Sequence, residues 1–138
     1  MTNLELLFKQ AEENGISIYE LPLDSTKSMI ADLGNDNAAI CLASSNIASE
    51  KEAEESVAHE LGHFFTGTYY DSPYCDNNRG KMEHQANVWM VKKLLPPSAI
   101  YAAVADGCCE IWEISDYCDC TENLVKKAIE VYTQKGLL

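Results

Sequence analysis

His59-Glu60-Leu61-Gly62-His63 sits inside a longer stretch, Ser49 to Gly67, whose apolar residues recur at helical spacing. The pattern H-E-x-x-H is one in which two histidines grip a zinc ion and the glutamate works on its water. Residues four apart stack on one face of an α-helix, so both imidazoles can reach one metal. Glu60 stands one position on, about 100° round the helix, beside the metal rather than on it. That is the place for a general base. Three fixed residue types also match by chance in unrelated chains, but all three histidines here lie between positions 59 and 84.

Working outward, Ser49 and Glu52 have the spacing of a capping box, so the helix is expected to start near Glu50. Glu50, Glu52, Glu54 and Glu55 crowd its first two turns, which suits the helix dipole. Ala53, Val57, Leu61 and Phe64 or Phe65 form the expected buried stripe, and Gly67 the stop. Gly62 either permits close approach by another element or is a tolerated glycine costing about 1 kcal/mol relative to alanine. The loop from Tyr69 to Gly80 carries Tyr69, Tyr70 and Tyr74. One hydroxyl there is a candidate to stabilise an oxyanion, with ordinary packing as the competing reading.

A second helix is expected from about Lys81 to Leu95, ended by Pro96-Pro97. Glu83, Ala86, Asn87, Met90, Val91 and Leu94 share one of its faces. A carboxylate on a core-facing stripe is costly unless paired or bound to metal. Glu83 is therefore the candidate third ligand beside His59 and His63, and His84 its rival, about 100° away round the helix. Three protein ligands and an open position for water define a catalytic zinc site, and zinc brings the pKa of water to about 7. Glu60 can take the water's proton and pass it to a departing amine.

Upstream, 4–11 reads as a packing helix stopped by Gly15. Residues 16–21, 28–33 and 38–43 read as strands of a small sheet, expected to be a meander. Downstream, helical pieces are expected at 98–105, 108–118 and 122–135, with Thr121 capping the last. Residues 108–138 carry six acids and three lysines, so DNA reading by this part is not expected.

The chain has 138 residues, suited to a single domain over 1–138, with 46% apolar residues and a net charge of −12. Such a field repels nucleic acid and anionic membranes and favours a basic partner, or serves solubility alone. The first residues show no basic region followed by an apolar run, and no stretch approaches the ~20 apolar residues of a bilayer span. The expectation is a cytoplasmic protein whose six cysteines stay reduced. A second metal site at Cys108, Cys109, Cys118 and Cys120 is the weaker reading, because adjacent and one-apart pairs are not the usual zinc spacing.

His59-Glu-Leu-Gly-His63 followed by Glu83-His-Gln-Ala-Asn-Val-Trp-Met-Val-Lys-Lys-Leu-Leu-Pro96 resembles the ImmA/IrrE-type metallopeptidases. In that family an E-x-x-A-N-x-F-A-x-x-L-L-x-P helix follows H-E-x-G-H and brings the third ligand. Glu83 falls on the ligand position, and Ala86-Asn87 on the small and polar pair. Trp89 and Met90 depart from the usual phenylalanine and alanine, and Cys120 stands where serine is common. The likeness runs from about residue 16 to the end and is strongest over 59–96. It implies an α+β fold, mostly helical, with a small three-stranded sheet beside the zinc helix. Residues 16–96 would be the catalytic core and 97–138 a helical part.

The resemblance further implies Zn2+ held by His59, His63 and Glu83, with Glu60 catalytic. The substrate would be a basic helix-turn-helix repressor encoded by the same phage or mobile element, pairing with the sheet at Ala38–Ala43. The competing reading is a zinc-bearing protein that sequesters a regulator, or acts in a toxin–antitoxin pair, without proteolysis.

Overall fold

The structure, a computed structural model, is described for residues 2–35, 37–68 and 79–138. Its first helix, α1 (Asn3–Glu13), starts at Thr2, whose hydroxyl accepts from Glu5 N while the Glu5 carboxylate accepts from Thr2 N. That reciprocal pair satisfies two N–H groups with no partner inside the helix. Leu7 and Ala11 are its buried face. Gly15, at φ 74°, turns the chain into β1 (Ile16–Glu20); β2 (Ser28–Gly34) and β3 (Asn37–Leu42) follow.

The sheet is not the expected meander. Its order is β1-β3-β2, with β1 parallel and β2 antiparallel to β3. The segment between β1 and β2 crosses the end of β3, where Leu21 N donates to Leu42 O and Ala43 N to Lys27 O, both at 2.9 Å. Asn46, in the short 3-10 turn after β3, fixes this crossing by donating to Leu23 O (3.0 Å) and Thr26 O (2.8 Å). β3 is therefore central. Its run Ala38-Ala-Ile40 is buried, as a strand covered on both faces requires. The expectation that a substrate pairs with Ala38–Ala43 is thereby corrected, because both edges of β3 are already used. The edges belong to β1 and β2.

α2 (Glu50–Thr66) begins at Ser49, whose hydroxyl accepts from Glu52 N at 3.2 Å. The expected capping box is only half formed. The Glu52 carboxylate accepts from Ala48 N (3.4 Å) and pairs with Lys27 (2.7 Å), tying α2 to the start of β2. Val57 and Leu61 are buried from the expected stripe, whereas Phe65 is exposed and stacks on Trp89 with ring centroids 5.1 Å apart. α3 (Arg79–Leu94) lies against α2 in the most extensive helix contact of the fold.

Gly62 makes that contact possible. A Cβ built there would stand 2.5 Å from Ala86 O and 3.0 Å from Ala86 Cα, inside van der Waals contact with backbone. Close approach is therefore its role. Gly62→Ala must push α3 outward and is expected to cost about 1–3 kcal/mol, read as a lower midpoint in denaturant. An unchanged midpoint would mean the two helices separate without penalty.

Pro96-Pro97 ends α3 and opens α4 (Pro97–Ala105). α5 spans Ile111–Cys118 rather than starting at 108, because the Glu113 carboxylate accepts from Glu110 N and Cys109 N and so caps the helix there. α6 (Glu122–Gln134) is capped by Thr121 as expected. The buried Tyr132 hydroxyl donates to Leu95 O at 2.8 Å, joining α6 to the end of α3. One apolar cluster runs from Leu7 through Leu61 and Met90 to Tyr132. Among the described residues, six helices and a small mixed sheet packed beside α2 make an α+β fold, mostly helical. No helix among them is long and apolar enough to cross a membrane.

Candidate metal centre

His59 and His63 project from one face of α2, their rings edge to face with centroids 4.8 Å apart. Glu83 on α3 meets them both: Oε2 lies 2.9 Å from His59 Nε2 and Oε1 lies 3.2 Å from His63 Nε2. His84, the rival, is exposed on another face of α3. The structure thus brings together His59, Glu60, His63 and Glu83 and leaves His84 out.

Hydrogen bonding on the outer side of the rings decides their tautomers. Gly62 O can only accept, so the Thr66 hydroxyl, 2.7 Å away, donates to it. Thr66 Oγ1 then accepts from the Thr68 hydroxyl at 2.8 Å, and Thr68 Oγ1 accepts from His63 Nδ1–H at 3.0 Å. His59 Nδ1–H likewise donates to Asn87 Oδ1 at 2.9 Å. Both Nδ1 positions carry protons, so a neutral ring offers a bare Nε2 lone pair to the centre. Gly67, at φ 68°, bends the chain so that Thr68 returns over His63, with Thr68 N donating to His63 O at 2.9 Å.

Two bare imidazole nitrogens facing a carboxylate at 2.9 and 3.2 Å are acceptors facing acceptors, which calls for a cation between them. The alternative is imidazolium. Burial of His63 opposes its charging, but the hydrogen bond to Glu83 and the charges of Glu60 and Glu83 outweigh burial and raise its pKa. Hydrogen bonds from His59 and His63 hold the Glu83 carboxyl down to about 2. Donor atoms about 2.0–2.1 Å from a tetrahedral zinc stand roughly 3.3 Å apart, and the two histidine–Glu83 separations, 2.9 and 3.2 Å, lie within a few tenths of an ångström of that.

Glu60 also brings an oxygen within 4.8 Å of the histidine donors. Its Oε2 accepts from the Ser28 hydroxyl at 3.3 Å, whereas the Glu83 oxygens touch both Nε2 atoms, so Glu83 is the better-placed carboxylate donor. Glu60 is 4% exposed. Burial raises its pKa against the opposing pull of His59 and His63.

Two cavities meet here. One of about 620 Å³ follows β2 from Lys27 to Ile30 and reaches His59, Glu60, His63 and Thr68. The other, about 470 Å³, leaves His59, Glu83 and Asn87 toward the start of α6.

Ser28 and Thr68 have no sequence signal at the spacing of the motif. Ser28 is 32 positions from the side chain it touches, and Thr68 shows only as a polar residue just past the helix-ending glycine. Tyr69, Tyr70 and Tyr74, the candidate oxyanion groups, lie outside the described residues. Among the described residues, the side chains placed to share a metal are His59, Glu60 and His63, with no such group at the cysteines. Cys108 and Cys118 instead donate to Glu113 O (3.7 Å) and Ala99 O (3.8 Å).

A family model described as an IrrE N-terminal-like domain, Peptidase_M78, matches residues 11–130. No curated protein and no solved structure gives a significant match.

Proposed function

The chain belongs to the IrrE N-terminal-like peptidase family, and from that membership we propose that it is a zinc-dependent endopeptidase acting in the cytoplasm on a regulatory protein. The substrate we infer is a basic helix-turn-helix repressor encoded by the same phage or mobile element. One observation carries the reading: two Nε2 atoms and a carboxylate converge, with a buried glutamate beside them. His59, His63 and Glu83 would hold the zinc, which when bound supplies Lewis acidity toward water and a peptide carbonyl.

Glu60 is the proton carrier. Burial lifts its pKa from the ordinary carboxylate value toward the working pH, where an acid–base group moves protons in both directions most effectively. Ser28 donates to Oε2 and so fixes the carboxylate's orientation. Substrate backbone would add as a strand to the outer edge of β2, beside the larger cavity, in place of the β3 edge that the fold does not offer. The net charge of −12 suits a basic substrate. Residues 16–96 act as the catalytic part and 97–138 as its helical support.

The Thr66–Thr68 relay positions His63. Thr68→Val removes the acceptor of Nδ1–H at nearly constant volume. It is expected to weaken zinc binding about 10–100-fold, measured by competition with a chromogenic chelator. An unaltered affinity would mean that helix geometry alone orients the ring.

The function is tested by co-expression with the repressor encoded beside its gene, the products being mapped by mass spectrometry. A discrete cut made by the wild type and absent with Glu60→Gln establishes the peptidase. An intact repressor that co-purifies with both forms overturns it in favour of sequestration.

A further inference from the structure

The smaller cavity runs from His59, Glu83 and Asn87 to Glu55, Thr121 and Lys127. Its wall holds an anomaly. Glu55 Oε2 is buried and has no hydrogen-bond partner among the described residues. A buried carboxylate oxygen left without a donor is costly, and folds supply one from protein, water or ligand. The charges nearby are engaged or solvated. Lys27 is bound to Glu52 at 2.7 Å, and Lys126 and Lys127 are exposed. The Thr121 hydroxyl hydrogen-bonds the Glu55 carboxylate yet also accepts from Leu124 N as the cap of α6.

We propose that this cavity receives a substrate side chain next to the cleaved bond, and that Glu55 selects lysine or arginine there. The inference rests on the endopeptidase reading. It follows from position and chemistry together. The cavity shares His59, Glu83, Lys27 and Ser28 with the cleft along β2, so a chain paired to β2 passes its mouth. A side chain entering it must be long, and a cationic tip matches best an oxygen that lacks a donor, because a charge-assisted hydrogen bond is about twice as strong as a neutral one. An apolar side chain would bury Oε2 further without a partner. An acidic one would meet Glu52, Glu55 and Glu122, while of the three lysines in the wall Lys27 is already paired with Glu52 and Lys126 and Lys127 are exposed.

Burial raises the Glu55 pKa, against the pull of Thr121 and Lys127. A carboxyl whose pKa is raised by folding contributes most below its unfolded pKa, and loses that contribution as pH climbs through the folded value. Glu55→Gln is therefore expected to melt no lower than the wild type at pH 7, with any gain shrinking toward pH 4. This makes it a sound probe of selectivity.

The test captures a random peptide library on zinc-loaded Glu60→Gln protein, in which turnover is blocked, and on the Glu55→Gln/Glu60→Gln double variant. Lysine and arginine are expected to be enriched at one fixed position by about tenfold on the first, and to fall to background on the second. No positional preference for basic residues, a preference that survives Glu55→Gln, or selection of acidic or apolar residues there overturns the proposal. The captured peptides are then given to the wild type. Failure to cut them overturns the endopeptidase reading, and with it the placement beside a cleaved bond, while the selection of basic side chains by Glu55 stands.

Discussion

Glu60→Gln is expected to lower kcat about 10²–10⁴-fold while zinc content stays at the wild-type level. The amide has the shape of the carboxylate and can keep a hydrogen bond with Ser28, so the site's outline survives. What it loses is a group that takes up a proton from water and releases it to the amine. Metal retention follows from geometry, because the oxygens that touch His59 Nε2 and His63 Nε2 are those of Glu83. Steady-state kinetics on the mapped substrate, with metal analysis of the same preparation, reads both quantities. Full turnover by the amide variant would remove Glu60 from the proton path. Loss of zinc would make it a ligand.

The second large effect is expected at Glu83. Losing an outer hydrogen-bond partner of a metal ligand already costs about 10–100-fold in affinity, and Glu83→Ala deletes the proposed third ligand, so its loss should exceed that range. His84→Ala should bind zinc like the wild type, since His84 is exposed away from the centre. The pair of variants separates neighbouring residues on one helix, and chelator competition measures both. Wild-type affinity in Glu83→Ala together with loss in His84→Ala would reverse the assignment.

The centre was legible in sequence to an unusual depth because most of it is helical geometry. Four-residue spacing puts His59 and His63 on one face wherever the helix lies. The i, i+3 and i+4 positions around Glu83 mark a stripe that must be buried and places Asn87 one turn along. Gly62 could be suspected of close packing, but only the Ala86 backbone 2.5 Å from its missing Cβ decides the matter. Glu55 shows the opposite case. In sequence it is one of four acids near a helix start, a reading that the dipole explains fully. Its buried oxygen appears only in the tertiary structure, where the start of α6 lines the same cavity.

The sheet divides along the same line. Alternation and turn residues located three strands to within a residue or two, because each depends on its own side chains and neighbours. Their order did not follow, since pairing joins segments through hydrogen bonds that carry no residue code. The unbroken apolar run Ala38-Ala-Ile-Cys-Leu was the available hint of a strand covered on both faces. Sequence by itself marked the candidate metal-binding face, the candidate proton carrier between its histidines and the helices that carry them, all set by local periodicity. Tertiary structure alone decided which strand stands at the sheet edge beside that face, which groups orient the histidines, and where one carboxylate oxygen is buried without a hydrogen-bond partner among the described residues. Each of those depends on contacts between segments far apart in the chain.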